Sequence, residues 1–184
     1  ETKIFHSLKS KIPFFLILCA AYGIFLLVLM PQARQAPFYD DDYFAFLQVR
    51  DLPLRPWIPW APDESLRRHP VWLYVLFFES KLFGPNIAGY HAVLFTIHFV
   101  NALLAAYLVQ RVFRQTLAAL LGGLLFLFSS SSYQVLISIM GARPLSLIFF
   151  LMAVFRWLDF LERGRRRDFF LTLVFEAVAV LTNE

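Results

Sequence analysis

Residues 12–30 run for nineteen positions without a charged side chain, and that run sets the medium in which the chain folds. At ~1.5 Å per residue a helix of this length measures about 28 Å, close to the ~30 Å hydrocarbon core of a bilayer. Composition agrees: 59% of the residues are apolar and only 16% charged, against ~45 to 50% apolar in soluble domains. Nothing reads as strand, so the sequence predicts an all-α integral membrane protein. Its single cysteine, Cys19, excludes an intramolecular disulfide framework, a Cys-based zinc site and a CxxC redox pair. A net charge of +4 could point to nucleic acid, but most of the cations sit in short clusters between apolar runs, where membrane orientation accounts for them. Nucleic-acid binding is excluded on that ground.

Lys3, Lys9 and Lys11 precede the first run, as in a signal peptide, yet the run exceeds the ~7 to 15 residues of such a segment and no small-residue cleavage site follows it. A retained first helix is expected. Residues 31–70 hold seven prolines, six acids and five arginines; they form a large external loop, since such a segment cannot cross lipid. The apolar piece 71–83 is interrupted by Glu79 and Lys81 and reads as an interfacial helix. Charge parity supports this. With 71–83 lying on the surface, 87–109 runs inward, 117–131 outward, 145–161 inward and 169–181 outward. Arg111, Arg114, Arg163, Arg165, Arg166 and Arg167 then share the cytoplasmic side with the N-terminal lysines, as the positive-inside rule requires. The expected architecture is about five transmembrane helices: a first helix in 1–30, an external loop with interfacial helices in 31–86, and four further helices in 87–184, together a single membrane domain. The chain opens on Glu1 and closes on Asn183-Glu184 directly after an apolar run, so the expectation is the N-terminal part of a longer protein.

The densest chemistry lies in the loop, where Asp40, Asp41 and Asp42 lead into an aromatic segment with Tyr43, Phe46 and Leu47 at helical spacing. One Asp would cap a helix, worth ~0.3 to 1 kcal/mol. Three adjacent carboxylates repel one another, a cost that a general base or a divalent-cation site would explain and capping would not. Spacing leaves the two readings level. Arg55, Arg67, Arg68 and His69 combine cations with Trp57, Trp60 and Trp72; the tryptophans read as interfacial anchors, while external arginines suit the phosphate of a lipid-linked substrate. Within the spans, His98 and Asn101 share a face and are expected to hydrogen-bond between helices. Arg156 and Asp159 are expected to pair. Glu176, an acid at membrane depth, calls for a partner or a wet surface.

The order of these features resembles the N-terminal module of the GT-C superfamily of membrane glycosyltransferases, especially its protein O-mannosyltransferase-like and polyprenyl-phosphate-sugar-dependent members. The resemblance rests on the Asp pair followed by an aromatic, the Arg/His-Pro step at 68–70, Leu82-Phe83-Gly84, Tyr90-His91, Ile97-His98-Phe99-Val100-Asn101-Ala102, Gly141-Ala142-Arg143-Pro144-Leu145 and Leu181-Thr182-Asn183-Glu184. It implies a sugar carried on polyprenyl phosphate and transferred on the non-cytoplasmic face of the cell's inner or plasma membrane, with the N-terminus cytoplasmic. By position Asp41, then Asp42 and Asp40, is the implied base, and Asp41 with Asp42 would hold a divalent cation, Mg or Mn. Arg55, Arg67, Arg68, His69, Arg143 and Glu184 are the implied substrate-binding residues. Five spans are fewer than such enzymes carry, so the chain alone is not expected to be catalytically complete. The alternative from another class is a non-catalytic GT-C-like scaffold or accessory subunit that packs against other membrane subunits. A transporter has little support, because no span is broken by a Gly/Pro pair.

Overall fold

The computed structural model describes residues 12–35, 46, 47, 49, 50, 70–129 and 141–183, and among these every regular element is helical. Six helices follow in chain order: α1 (Ile12–Ala33), α2 (Pro70–Phe83), α3 (Ile87–Phe113), α4 (Thr116–Leu127), α5 (Ala142–Arg163) and α6 (Arg166–Asn183). Phe46, Leu47, Val49 and Arg50 are helical as well. Several bounds differ from those read off hydropathy, for local reasons. α1 runs on to Ala33, with Pro31 in its last turn, where the missing N–H costs one helical bond before the chain leaves. α3 extends past position 109 because Arg111 finds acids on a neighbouring helix. α5 begins at Ala142, with Pro144 in the first turn, where proline's absent N–H has no intrahelical partner to lose. α6 starts at Arg166 and places Asp168 in its first turn, where a carboxylate suits the helix dipole.

Two tight turns make hairpins of the later helices. α3 ends at Arg114, in the left-handed region at φ 56°, whose N–H returns to the Gln110 carbonyl. α5 ends at Gly164, φ 63°, whose N–H returns to Phe160 at 2.7 Å. Side-chain contacts give the relative directions. A β-carbon on Gly123 of α4 would meet Ala106, and one on Gly122 would meet Val109, while His98 meets the Leu127 carbonyl; α3 and α4 are therefore antiparallel and close, as small residues permit. Tyr22 of α1 stacks on Phe99 at 4.2 Å and Phe25 meets Phe95, so α1 opposes α3. Asn101 bonds to Pro144 and Arg111 to Asp159, so α3 and α5 are parallel. Ser146 bonds to Ala179 and Arg156 pairs with Asp168, so α6 opposes α5. The five helices alternate. Ala33, Ile87, Leu127, Ala142 and Thr182 share one end, hereafter the loop end; Phe113, Thr116, Arg163 and Arg166 share the other, the arginine end.

α2 lies obliquely across the loop end. Its Trp72 meets Gly141 beside Leu94, and its Phe83 meets Gly89. Eleven residues of α2, about 16 Å of helix, thus cover only five residues of α3, about 7.5 Å. The core gathers there: Phe25, Trp72, Leu73, Leu76, Phe77, Tyr90, Leu94, Phe95 and Leu127 are buried together. The outer surface reverses the soluble pattern. Leu27 and Val28 of α1, Phe113 of α3, Leu121 and Leu125 of α4, Phe150 and Trp157 of α5, and Phe170 and Leu173 of α6 are exposed, whereas His98, Asn101 and Thr182 are buried. Phe14–Ala33, Ile87–Phe113 and Ala142–Arg163 are long and apolar enough to cross a membrane. The chain is an all-α membrane protein; α4, with 12 residues, and α6, with four charged side chains, do not meet that measure.

Candidate functional site at the loop end

The loop end is built on the inward face of α2. Positions 72, 73, 76, 77, 79 and 80 are all buried, a helical stripe that takes in Glu79 and Ser80 along with the aromatics. The Ser80 hydroxyl donates to the Phe77 carbonyl at 2.7 Å. Lys81 turns away, donating to the Arg50 carbonyl at 2.9 Å and lying 5.2 Å from the Phe77 ring centre. That bond ties the described end of the first loop to α2, and Phe46 completes the join by meeting Tyr90 edge-on.

Glu79 is the outlier. It is 4% exposed, and neither carboxylate oxygen has a hydrogen-bond partner among the described residues. Tyr90 lies within electrostatic range but gives its phenolic proton to the Gly84 carbonyl at 2.8 Å. Burial pushes the Glu79 carboxyl up to about 8, because the charged form would lose its water without gaining a donor. At neutral pH the group is mostly a neutral acid holding one proton. Trp72 Nε1 and Asn101 Oδ1 are likewise buried without a partner among the described residues. Hydropathy alone reads Glu79 as an interruption of an apolar run; the signal that reveals it is spacing, since 72, 76 and 79 share one side of α2.

Of the implied site residues, the structure describes Arg143. It is the second residue of α5, exposed at the loop end between buried Ala142 and half-buried Pro144, whose carbonyl accepts the Asn101 Nδ2–H at 2.7 Å. Asp40, Asp41, Asp42, Arg55, Arg67, Arg68, His69 and Glu184 lie outside the described residues. Among the described residues no three His, Cys, Asp or Glu side chains come together as a metal set. His98 and Asn101 bond between helices, to Leu127 and Pro144, as their shared face predicts. Glu176 is exposed on α6 and has no protein partner among the described residues.

The arginine end carries a second charged cluster. Arg111 of α3 bridges Asp159 and Glu162 of α5, each at 3.0 Å. Arg156 meets Asp159 at 3.3 Å and Asp168 of α6 at 3.7 Å, so the expected Arg156–Asp159 pair is one link of a chain joining three helices. Sequence spacing reveals the i, i+3 link but not Arg111, which lies 48 positions away.

Comparison with protein-family models, with curated proteins and with solved structures finds no match to this chain.

Proposed function

We propose that the chain is the membrane module of a GT-C-like glycosyltransferase, crossing the bilayer five times and transferring a sugar from a polyprenyl-phosphate donor at the loop end. The observation that carries this reading is convergence. Ala33, where the first loop leaves α1, Phe46, seated on Tyr90, and the exposed Arg143 lie at one end of the bundle, and four positions separate Phe46 from Asp42. The motif order of the sequence supplies the chemistry. Asp41 takes the proton of the acceptor hydroxyl as its oxygen bonds to the sugar's anomeric carbon. The bond from that carbon to the phosphate oxygen breaks, and polyprenyl phosphate departs with the electron pair. Arg55, Arg67, Arg68, His69 and Arg143 stabilise the departing phosphate, and Glu184 contacts the substrate. A divalent cation belongs to the proposal only through Asp41 and Asp42.

The test uses the full-length protein and measures glycosyl transfer from a polyprenyl-phosphate sugar in the Asp40→Asn, Asp41→Asn and Asp42→Asn variants. Asn retains shape and capping, so a capping role predicts near-normal turnover. A base predicts a fall of ~10²-fold or more at Asp41 in a protein that still inserts and folds. Normal turnover in all three would replace the enzyme with the scaffold reading.

A further inference from the structure

We propose that the arginine end is a docking surface for the headgroups of anionic phospholipids. Arg114, Arg163, Arg165, Arg166 and Arg167 are exposed there, and none of them enters an ion pair among the described residues. The acids of this end are committed elsewhere: Asp159 and Asp168 are buried or nearly so and face Arg156, and Glu162 is held by Arg111. Among the described residues of this end seven arginines therefore meet three acids, and those three serve the internal network.

Geometry brings the five together. The α3–α4 turn carries Arg114 in a fixed left-handed conformation, and the α5–α6 turn, fixed by Gly164, carries the other four. The Arg111–Glu162 pair, at 3.0 Å, draws the two turns side by side. Exposed apolar side chains adjoin the arginines in sequence: Phe113 and Leu117 at the first turn, Leu161, Phe169 and Phe170 at the second. The perimeter that faces acyl chains thus passes directly into a rim of guanidinium groups, at the level where lipid phosphates lie. Guanidinium grips a phosphate through two parallel N–H bonds. A zwitterionic headgroup brings its own ammonium and cancels part of this attraction, whereas a phosphodiester bearing an uncharged glycerol does not. The inference rests on the chain's being a membrane protein and is independent of glycosyl transfer.

The test is native mass spectrometry of the delipidated chain in detergent, offered equal amounts of phosphatidylglycerol and phosphatidylcholine. Phosphatidylglycerol adducts should predominate several-fold. Arg166→Gln/Arg167→Gln should cut that preference several-fold, and so should Arg114→Gln/Arg163→Gln, a second pair that keeps the result readable if one variant fails to insert. Arg34→Gln at the loop end should leave the preference unchanged. Equal binding of the two lipids by the unaltered chain, or a preference surviving both pairs, would overturn the proposal. Loss of the adducts to millimolar inorganic phosphate would overturn it too, by assigning the rim to free phosphate.

Discussion

Trp72 of α2 closes over Gly141, the residue just before α5, so tightly that a β-carbon on Gly141 would sit 2.6 Å from the indole edge and clash with Leu94 as well. Two backbone segments far apart in sequence are joined through the absence of one methyl group. Gly141→Ala should therefore lift α2 from its seat at a cost of about 1 to 3 kcal/mol. Thermal unfolding in detergent, together with a red shift of tryptophan emission, measures it. Gly23→Ala in α1, where nothing lies within 4 Å among the described residues, is the control and should raise stability by ~0.5 to 1 kcal/mol. Equal effects at both positions would show that the Trp72 contact does not hold α2.

Stability should depend on pH through Glu79. The folded-state value, about 8, lies above the ordinary 4.5, so between these values the native state binds more protons than the unfolded one. Stability then falls as pH rises through that window, by at most ~1.4 kcal/mol per unit, and levels off on either side. Glu79→Gln should flatten this contribution and make the protein more stable than the unaltered chain above pH 8. Identical pH profiles for the two would mean that the carboxyl finds a partner when ionised.

The α3–α4 contact makes a steric prediction. A β-carbon on Gly123 would come within 2.9 Å of the Ala106 β-carbon, which cannot withdraw without moving α3, and within 3.2 Å of the rotatable end of Leu18. Gly123→Val should cost about 1 to 3 kcal/mol. Gly122→Ala meets only the rotatable Val109 side chain at 3.0 Å and should cost less. The ranking of the two in thermal unfolding checks the antiparallel packing.

A double-mutant cycle addresses the ionic network. Asp159 and Arg111 have side chains 14% and 17% exposed, so partial solvent screening reduces the cost of breaking them from that of a fully buried pair. Asp159→Asn should cost roughly 1 to 3 kcal/mol, and Arg111→Gln should add less to it than it costs alone. Strict additivity would show that the pair is not coupled.

Orientation is open to chemical labelling. With Cys19 replaced by Ser, a cysteine at position 48 should react with an impermeant thiol reagent from outside the cell. One at position 165 should react only after permeabilisation. Labelling of both from one side would break the alternation inferred from charge.

Sequence alone was sufficient for whatever depends on composition along a line. The uncharged stretch of α1 requires a bilayer-spanning length of helix, and Arg114 and Arg163 to Arg167 mark where helices turn, because moving such groups into hydrocarbon costs too much. Spacing also made the His98, Asn101 and Arg156 contacts legible, since i, i+3 neighbours share a face whatever surrounds them. The three-dimensional arrangement decided the rest. Whether Glu79 interrupts an apolar run in water or is buried without a donor depends on the rotation of α2 about its own axis, and packing against α3 and Gly141 sets that rotation. Arg111 appears in sequence as a topological marker; only the parallel seating of α3 against α5 reveals it as the centre of an ion network. The physical reason is the same in both cases: hydropathy places a residue along the membrane normal, whereas its partners are fixed by which helix faces meet, and that is a property of the assembled bundle.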